Sequence, residues 1–71
     1  MSLSLVDHRV GKQINEARLE RNLSLDQVGS LLGVSPEQVK LFEEDEQRMP
    51  AGLLYRLAEI FELPVTDFFK H

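Results

Sequence analysis

The stretch from Leu23 to Glu44 reads LSLDQVGSLLGVSPEQVKLFEE, and its punctuation decides the fold. Ser24 followed three residues later by Gln27 is a capping box, in which the hydroxyl accepts from an early helical N–H and the glutamine turns back on the cap's own N–H. Leu23 stands where it can pack on Val28 as a hydrophobic staple. A helix over 25–32 is therefore predicted, closed by Gly33, which lacks the Cβ that opposes a left-handed turn. The signal then repeats. Ser35 caps, Pro36 takes the first helical position where its missing N–H costs nothing, Gln38 completes a second box and Val34 faces Val39, which predicts a helix over 36–44. The interior positions of this pair, Val28, Leu32, Val34, Val39 and Phe42, are all apolar, and Gly29 lets the two helices approach closely. An ordinary antiparallel helix hairpin competes with this reading, but joint agreement of capping, turn and packing is more specific than any single signal.

On the N-terminal side, Val10, Ile14 and Ala17 recur at i, i+4 and i+7 while Lys12, Asn15, Glu16 and Glu20 point elsewhere, which predicts a helix over about 6–22. On the C-terminal side, Leu53, Leu54, Leu57, Ala58 and Phe61 form an apolar stripe opposite Arg56, Glu59 and Glu62, which predicts a helix over about 50–62 with Gly52 weakening its first turn. Tyr55 and the phenylalanines, at helical spacing, are assigned to core packing rather than to base stacking. Pro64 breaks the chain, and 65–70 has room for one short helix offering Phe68 and Phe69 to the core. Nothing alternates with the period of two that a strand requires. The fold class is all-α, with five helices in one domain spanning 1–71.

A chain of 71 residues has room for a single domain that buries only about 60% of its unfolded surface. It has no Cys, which removes disulfides, thiolate metal sites and a cysteine nucleophile together. A hydrophobic fraction of 42% and a charged fraction of 28% suit a folded globular chain. No apolar run approaches the ~20 residues needed to cross a bilayer. The N-terminus lacks the basic and apolar regions of a signal peptide, so no membrane contact and a cytoplasmic location are expected, and Met1, Ser2 and Leu3 carry no functional weight. Residues 1–42 and 47–71 each balance their charges, so the whole formal charge of −4 resides in Glu43-Glu44-Asp45-Glu46. His8 and His71 stand at opposite ends, and the acidic run lacks the spaced Asp, Asn and Gly of a calcium loop, so no metal or other cofactor is expected. Without a recognisable nucleophile and base or a phosphate-cradling loop, the chain does not read as an enzyme.

From Val10 to Phe69 the sequence resembles the Xre or phage-repressor and Cro family of helix-turn-helix DNA-binding domains. The resemblance rests on Gly11-Lys12-Gln13-Ile14 with Arg18, on Leu23-Ser24, Leu32-Gly33-Val34-Ser35, Phe42-Glu43 and Leu57-Ala58-Glu59, and on the tail Pro64-Val65-Thr66-Asp67-Phe68-Phe69. It implies a five-helix, lambda-repressor-like domain whose third helix enters the major groove of double-stranded DNA, with dimers on half-sites about one helical turn apart. Carried over position by position, it makes Ser35, Pro36, Glu37, Gln38, Lys40, Leu41 and Glu44 the residues at or near the groove. Lys12, Arg9 or Arg48 would meet phosphates. It also joins Arg18 to Glu43 as a structural ion pair, and it makes Leu63, Val65, Phe68 and Phe69 the contacts of a weak homodimer.

Two departures from the family pattern open a second reading. Leu25 stands where the family has Gln at the start of the second helix, so a phosphate contact is lost, and Asp45 stands where the family often has Gly in a loop that nears the DNA backbone. Leu25, Pro36 and Leu41 would then form an apolar face, rimmed by Glu37 and Glu44, for a protein partner, with DNA binding weakened or lost. The regulator reading and the partner reading both remain open in the sequence.

Overall fold

A computed structural model describes residues 3–69, with side chains from Val10 onward. It contains α1 (Leu3–Glu20), α2 (Leu25–Leu32), α3 (Pro36–Glu43) and α4 (Ala51–Phe61), followed by a 3₁₀ turn at Val65–Phe69. No strand occurs among the described residues. The expected fifth helix is this single 3₁₀ turn, and its expected end at Lys70, like His71, lies outside the described residues.

All four helices stop in the same way, which accounts for most differences from the expected bounds. A residue with left-handed backbone follows the last turn, at Asn22 (φ 56°), Gly33 (φ 78°), Asp45 (φ 61°) and Glu62 (φ 58°). The next N–H then bonds a carbonyl five residues back: Leu23 to Arg18 at 3.2 Å, Val34 to Gly29 at 2.9 Å, Glu46 to Leu41 at 2.9 Å and Leu63 to Ala58 at 2.9 Å. This bond satisfies carbonyls that a helix end otherwise leaves unpaired. Gly33 is the strong signal of the motif in the sequence and Asn22 a weaker one, while Glu62 gives none. α1 therefore ends at Glu20 instead of Asn22, α3 at Glu43 and α4 at Phe61.

α2 packs on α3, while α1 lies against both α3 and the 3₁₀ turn, which also meets α4. The core between them holds Ile14, Val28, Val39 and Leu57, each fully buried, with Phe68 and Phe61 beside them. Met49, 8% exposed, pins the α3–α4 loop to this core. A Cβ on Gly29 would lie 2.7 Å from the Val34 carbonyl oxygen, so glycine is required for the close approach of the helix pair. Gly11 is equally constrained: a Cβ there would lie 2.7 Å from the carbonyl oxygens of Phe42 and Glu43 and 2.6 Å from Asp45 Oδ1.

Two aromatic assignments are corrected. Tyr55 is 61% exposed, because it follows Leu54 by one residue and so sits about 100° round the helix from the buried Leu54, Leu57, Ala58 and Phe61. Phe69 is 42% exposed. At about three residues per turn its neighbour Phe68 takes the inward direction, and two consecutive side chains of a 3₁₀ turn cannot share it.

Candidate nucleic-acid interface

Ser35 opens α3 in extended conformation, and its hydroxyl accepts the Gln38 N–H at 3.1 Å. The box expected here is only half formed. In α2 the Gln27 side chain returns to the Ser24 N–H at 2.8 Å, whereas Gln38 Nε2 instead donates to Gln47 Oε1 of the following loop at 2.6 Å.

The outward stripe of α3 consists of Glu37, Lys40, Leu41 and Glu44, at i, i+3, i+4 and i+7, all exposed, with Pro36 half-buried at its start. On one flank, Lys12 of α1 and the half-buried Leu25 of α2 line a shallow depression together with Lys40, Glu44 and Asp45. On the other flank, Ser35, Gln38, Gln47 and Arg48 rim a second depression floored by Val34, Phe42 and Leu53. The sequence-predicted contact residues are thus divided between two sides of one helix. The Arg9 side chain and the expected role of that residue lie outside the described residues.

The acidic run is four residues with three different roles. Glu43 is engaged by Arg18 through Nε to Oε2 at 2.7 Å and Nη2 to Oε1 at 3.1 Å, and Asn15 Nδ2 adds a bond to Oε1 at 2.8 Å. Arg18 spends its remaining arm on the Leu23 carbonyl at 2.8 Å. The two side chains are 11% and 7% exposed, so the pair ties α1, the α1–α2 turn and the end of α3 together in a place that excludes most water. Asp45 serves the left-handed turn, and only Glu44 and Glu46 stand exposed on the surface.

Three contributors escaped the sequence reading. Asn15 joins the ion pair, Gln47 holds Gln38, and Arg21 ties the end of α1 to the end of α4. Arg21 donates to the carbonyls of Ala17 and Phe61, both at 2.8 Å, with its guanidinium 4.9 Å from the centre of the Phe61 ring. Their partners are 28, 9 and 40 residues away in the chain, separations that no local pattern marks.

Of the residues assigned to a dimer, Phe68 is 1% exposed and belongs to the core of its own chain. Leu63 and Val65 are half-buried and Phe69 is exposed, with Leu63 and Phe69 lining different depressions. No cluster of three His, Cys, Asp or Glu suited to a metal ion occurs among the described residues. No described helix is long and apolar enough to cross a membrane.

Two short helices joined by a tight glycine turn, braced by α1 and α4 and with the second helix open to solvent, define a helix-turn-helix domain. The chain belongs to the HTH_3 helix-turn-helix family, of the Xre/Cro type, whose profile matches residues 14–68. It is similar to an uncharacterized HTH-type transcriptional regulator, y4aM, of Sinorhizobium fredii, with 32% identity over 65 residues covering 92% of this chain and 46% of that protein. Its structure superimposes on an HTH_3 family transcriptional regulator from Vibrio cholerae with a TM-score of 0.81 and 27% identity, covering 93% of this chain and 37% of the other. The clp gene regulator ClgR from C. glutamicum shares the fold, with a TM-score of 0.81 at 17% identity over 89% of this chain and 82% of that one. The chain spans about half the length of the curated relatives it matches.

Proposed function

We propose that this chain is the sequence-specific DNA-binding domain of a transcriptional regulator, with α3 lying in the major groove. The observation that carries the reading is the uncovered stripe Glu37, Lys40, Leu41 and Glu44 on the second helix of a helix-turn-helix pair. Lys40 supplies cationic attraction, Glu37 can accept from cytosine N4, and Leu41 can meet a thymine methyl. Lys12 and Arg48 line depressions on opposite flanks of α3, and on this reading they meet phosphates. The names of the relatives, transcriptional regulators throughout, support the same reading. On it, residues 1–71 act as one non-catalytic domain in the cytoplasm, and pairing through Leu63, Val65 and Phe69 sets two α3 helices on successive major grooves.

A second reading has a specific observation behind it. Leu41 is 37% exposed between Glu37 and Glu44 on the outward stripe, and Pro36 and Leu25 are half-buried at the starts of α3 and α2, apolar and acidic groups suited to a protein partner. Selection of bound duplexes from a random pool separates the two. An enriched motif with two-fold symmetry supports the regulator, whereas no enrichment at low salt, where even nonspecific attraction is strongest, favours the partner reading.

A further inference from the structure

We infer that Gln47, outside the recognition helix, is a positioning residue for base recognition: it orients the Gln38 carboxamide to read an adenine. The inference rests on the DNA-binding reading above and deepens it.

The chain contains its own control. Ser24-Leu25-Asp26-Gln27 and Ser35-Pro36-Glu37-Gln38 carry the same cap signal at the start of neighbouring helices, and both serines accept the expected N–H, at 3.0 and 3.1 Å. Gln27 then closes its box at 2.8 Å, while Gln38 leaves the cap for Gln47 at 2.6 Å. Gln38 therefore forgoes a local bond for one to the α3–α4 loop, and its carboxamide is directed to the flank of α3. The loop can hold it because Met49, buried at 8% exposure two residues after Gln47, anchors that segment to the core.

The remaining bonding capacity decides what is read. A glutamine amide has two N–H donors and one carbonyl acceptor. With one N–H given to Gln47, Gln38 retains one donor and the acceptor. Adenine presents the complement in the major groove, an N7 acceptor beside an N6–H₂ donor, whereas guanine presents two acceptors that the Gln38 carbonyl cannot satisfy. The bond to Gln47 also restricts rotation of the amide and favours the observed orientation, so less conformational entropy is lost on binding. Gln38 is the contact and Gln47 acts through it.

The test is selection of bound duplexes by the whole chain and by three variants, followed by titration of the selected duplex and of the same duplex with each base substituted at the adenine. The wild-type chain is expected to select adenine at one position per half-site and to prefer it by about 10-fold or more. Gln38→Ala should lose that preference while keeping the others. Gln47→Ala should flatten the same position and no other. Gln47→Glu retains an acceptor for Gln38 Nε2, so it should keep the adenine preference while weakening binding to every duplex through its added negative charge. Circular dichroism melts of each variant separate these effects from a loss of fold. If wild type and Gln47→Ala select adenine equally, or if Gln47→Ala weakens all sequences uniformly, Gln47 does not position the reading amide. Failure of the wild-type chain to enrich any motif overturns the DNA-binding reading itself.

Discussion

Glu43 illustrates why single residues of this chain resist a reading by composition. It stands first in a run of four acids that carries the entire net charge, yet it is bonded by both Arg18 and Asn15 and nearly buried. Removing one partner of such a pair leaves the other charge desolvated, so Arg18→Ala and Glu43→Ala should each cost about 2–3 kcal/mol. For a domain of this size that lowers the melting temperature by roughly 10–20 °C in calorimetry, and an unchanged Tm in both variants would contradict the account. Arg18→Lys should recover little, since one ammonium cannot reproduce the fork that reaches Glu43 and the Leu23 carbonyl together. Arg18 and Glu43 were legible in the sequence through the family resemblance. Asn15 was not, because its partner is brought near only by the packing of α1 on α3.

At the level of elements, the starts of α2 and α3 and the stop of α2 at Gly33 were legible, whereas α1 begins at Leu3, ahead of the expected residue 6, and the other three stops were misplaced by one or two residues. Ser24, Ser35 and Pro36 act on backbone groups within one turn, so their meaning is local and survives in the sequence. The stops at Asn22, Asp45 and Glu62 all use left-handed backbone, which asparagine and aspartate visit more readily than other side chains do, so the strain is greatest at Glu62. Relief of that strain is a direct prediction. Glu62→Gly, in an exposed position with left-handed backbone, should raise stability by about 0.5–1 kcal/mol, seen as a higher urea midpoint at unchanged m. A lower midpoint would show that Glu62 contributes more than a backbone turn. Conversely, Gly11→Ala and Gly29→Ala should destabilise, because each new Cβ meets backbone oxygens at 2.7 Å that belong to helix ends and a turn. For α3, Lys40→Ala should weaken DNA binding at every sequence and, where Lys40 meets a phosphate, lower the salt slope by about one unit in an anisotropy titration series. An unchanged affinity would remove Lys40 from the interface.

At the scale of the molecule, the fold was readable because local capping, apolar periodicity and the family motifs all pointed to one arrangement. The interface was only partly readable. The outward stripe of α3 follows from helical spacing, but the division of polar groups between its two flanks depends on loop residues whose neighbours are set by packing. The exposed Glu44 and Glu46 oppose a polyanion, so a second α3 on the same duplex should contribute much of the affinity. Association through Leu63, Val65 and Phe69 should appear in sedimentation equilibrium as a mass that rises with concentration up to several hundred micromolar. A constant monomer mass over that range would remove the pairing. The central claim, that α3 is the surface that meets DNA, is tested most directly by following backbone amide resonances of the ¹⁵N-labelled chain as a short duplex is added at low salt. The account predicts that the largest shifts fall on Ser35, on Glu37 to Glu44, and on Lys12, Gln47 and Arg48. Shifts confined to α4 and the 3₁₀ turn, or no shifts at all, would contradict it.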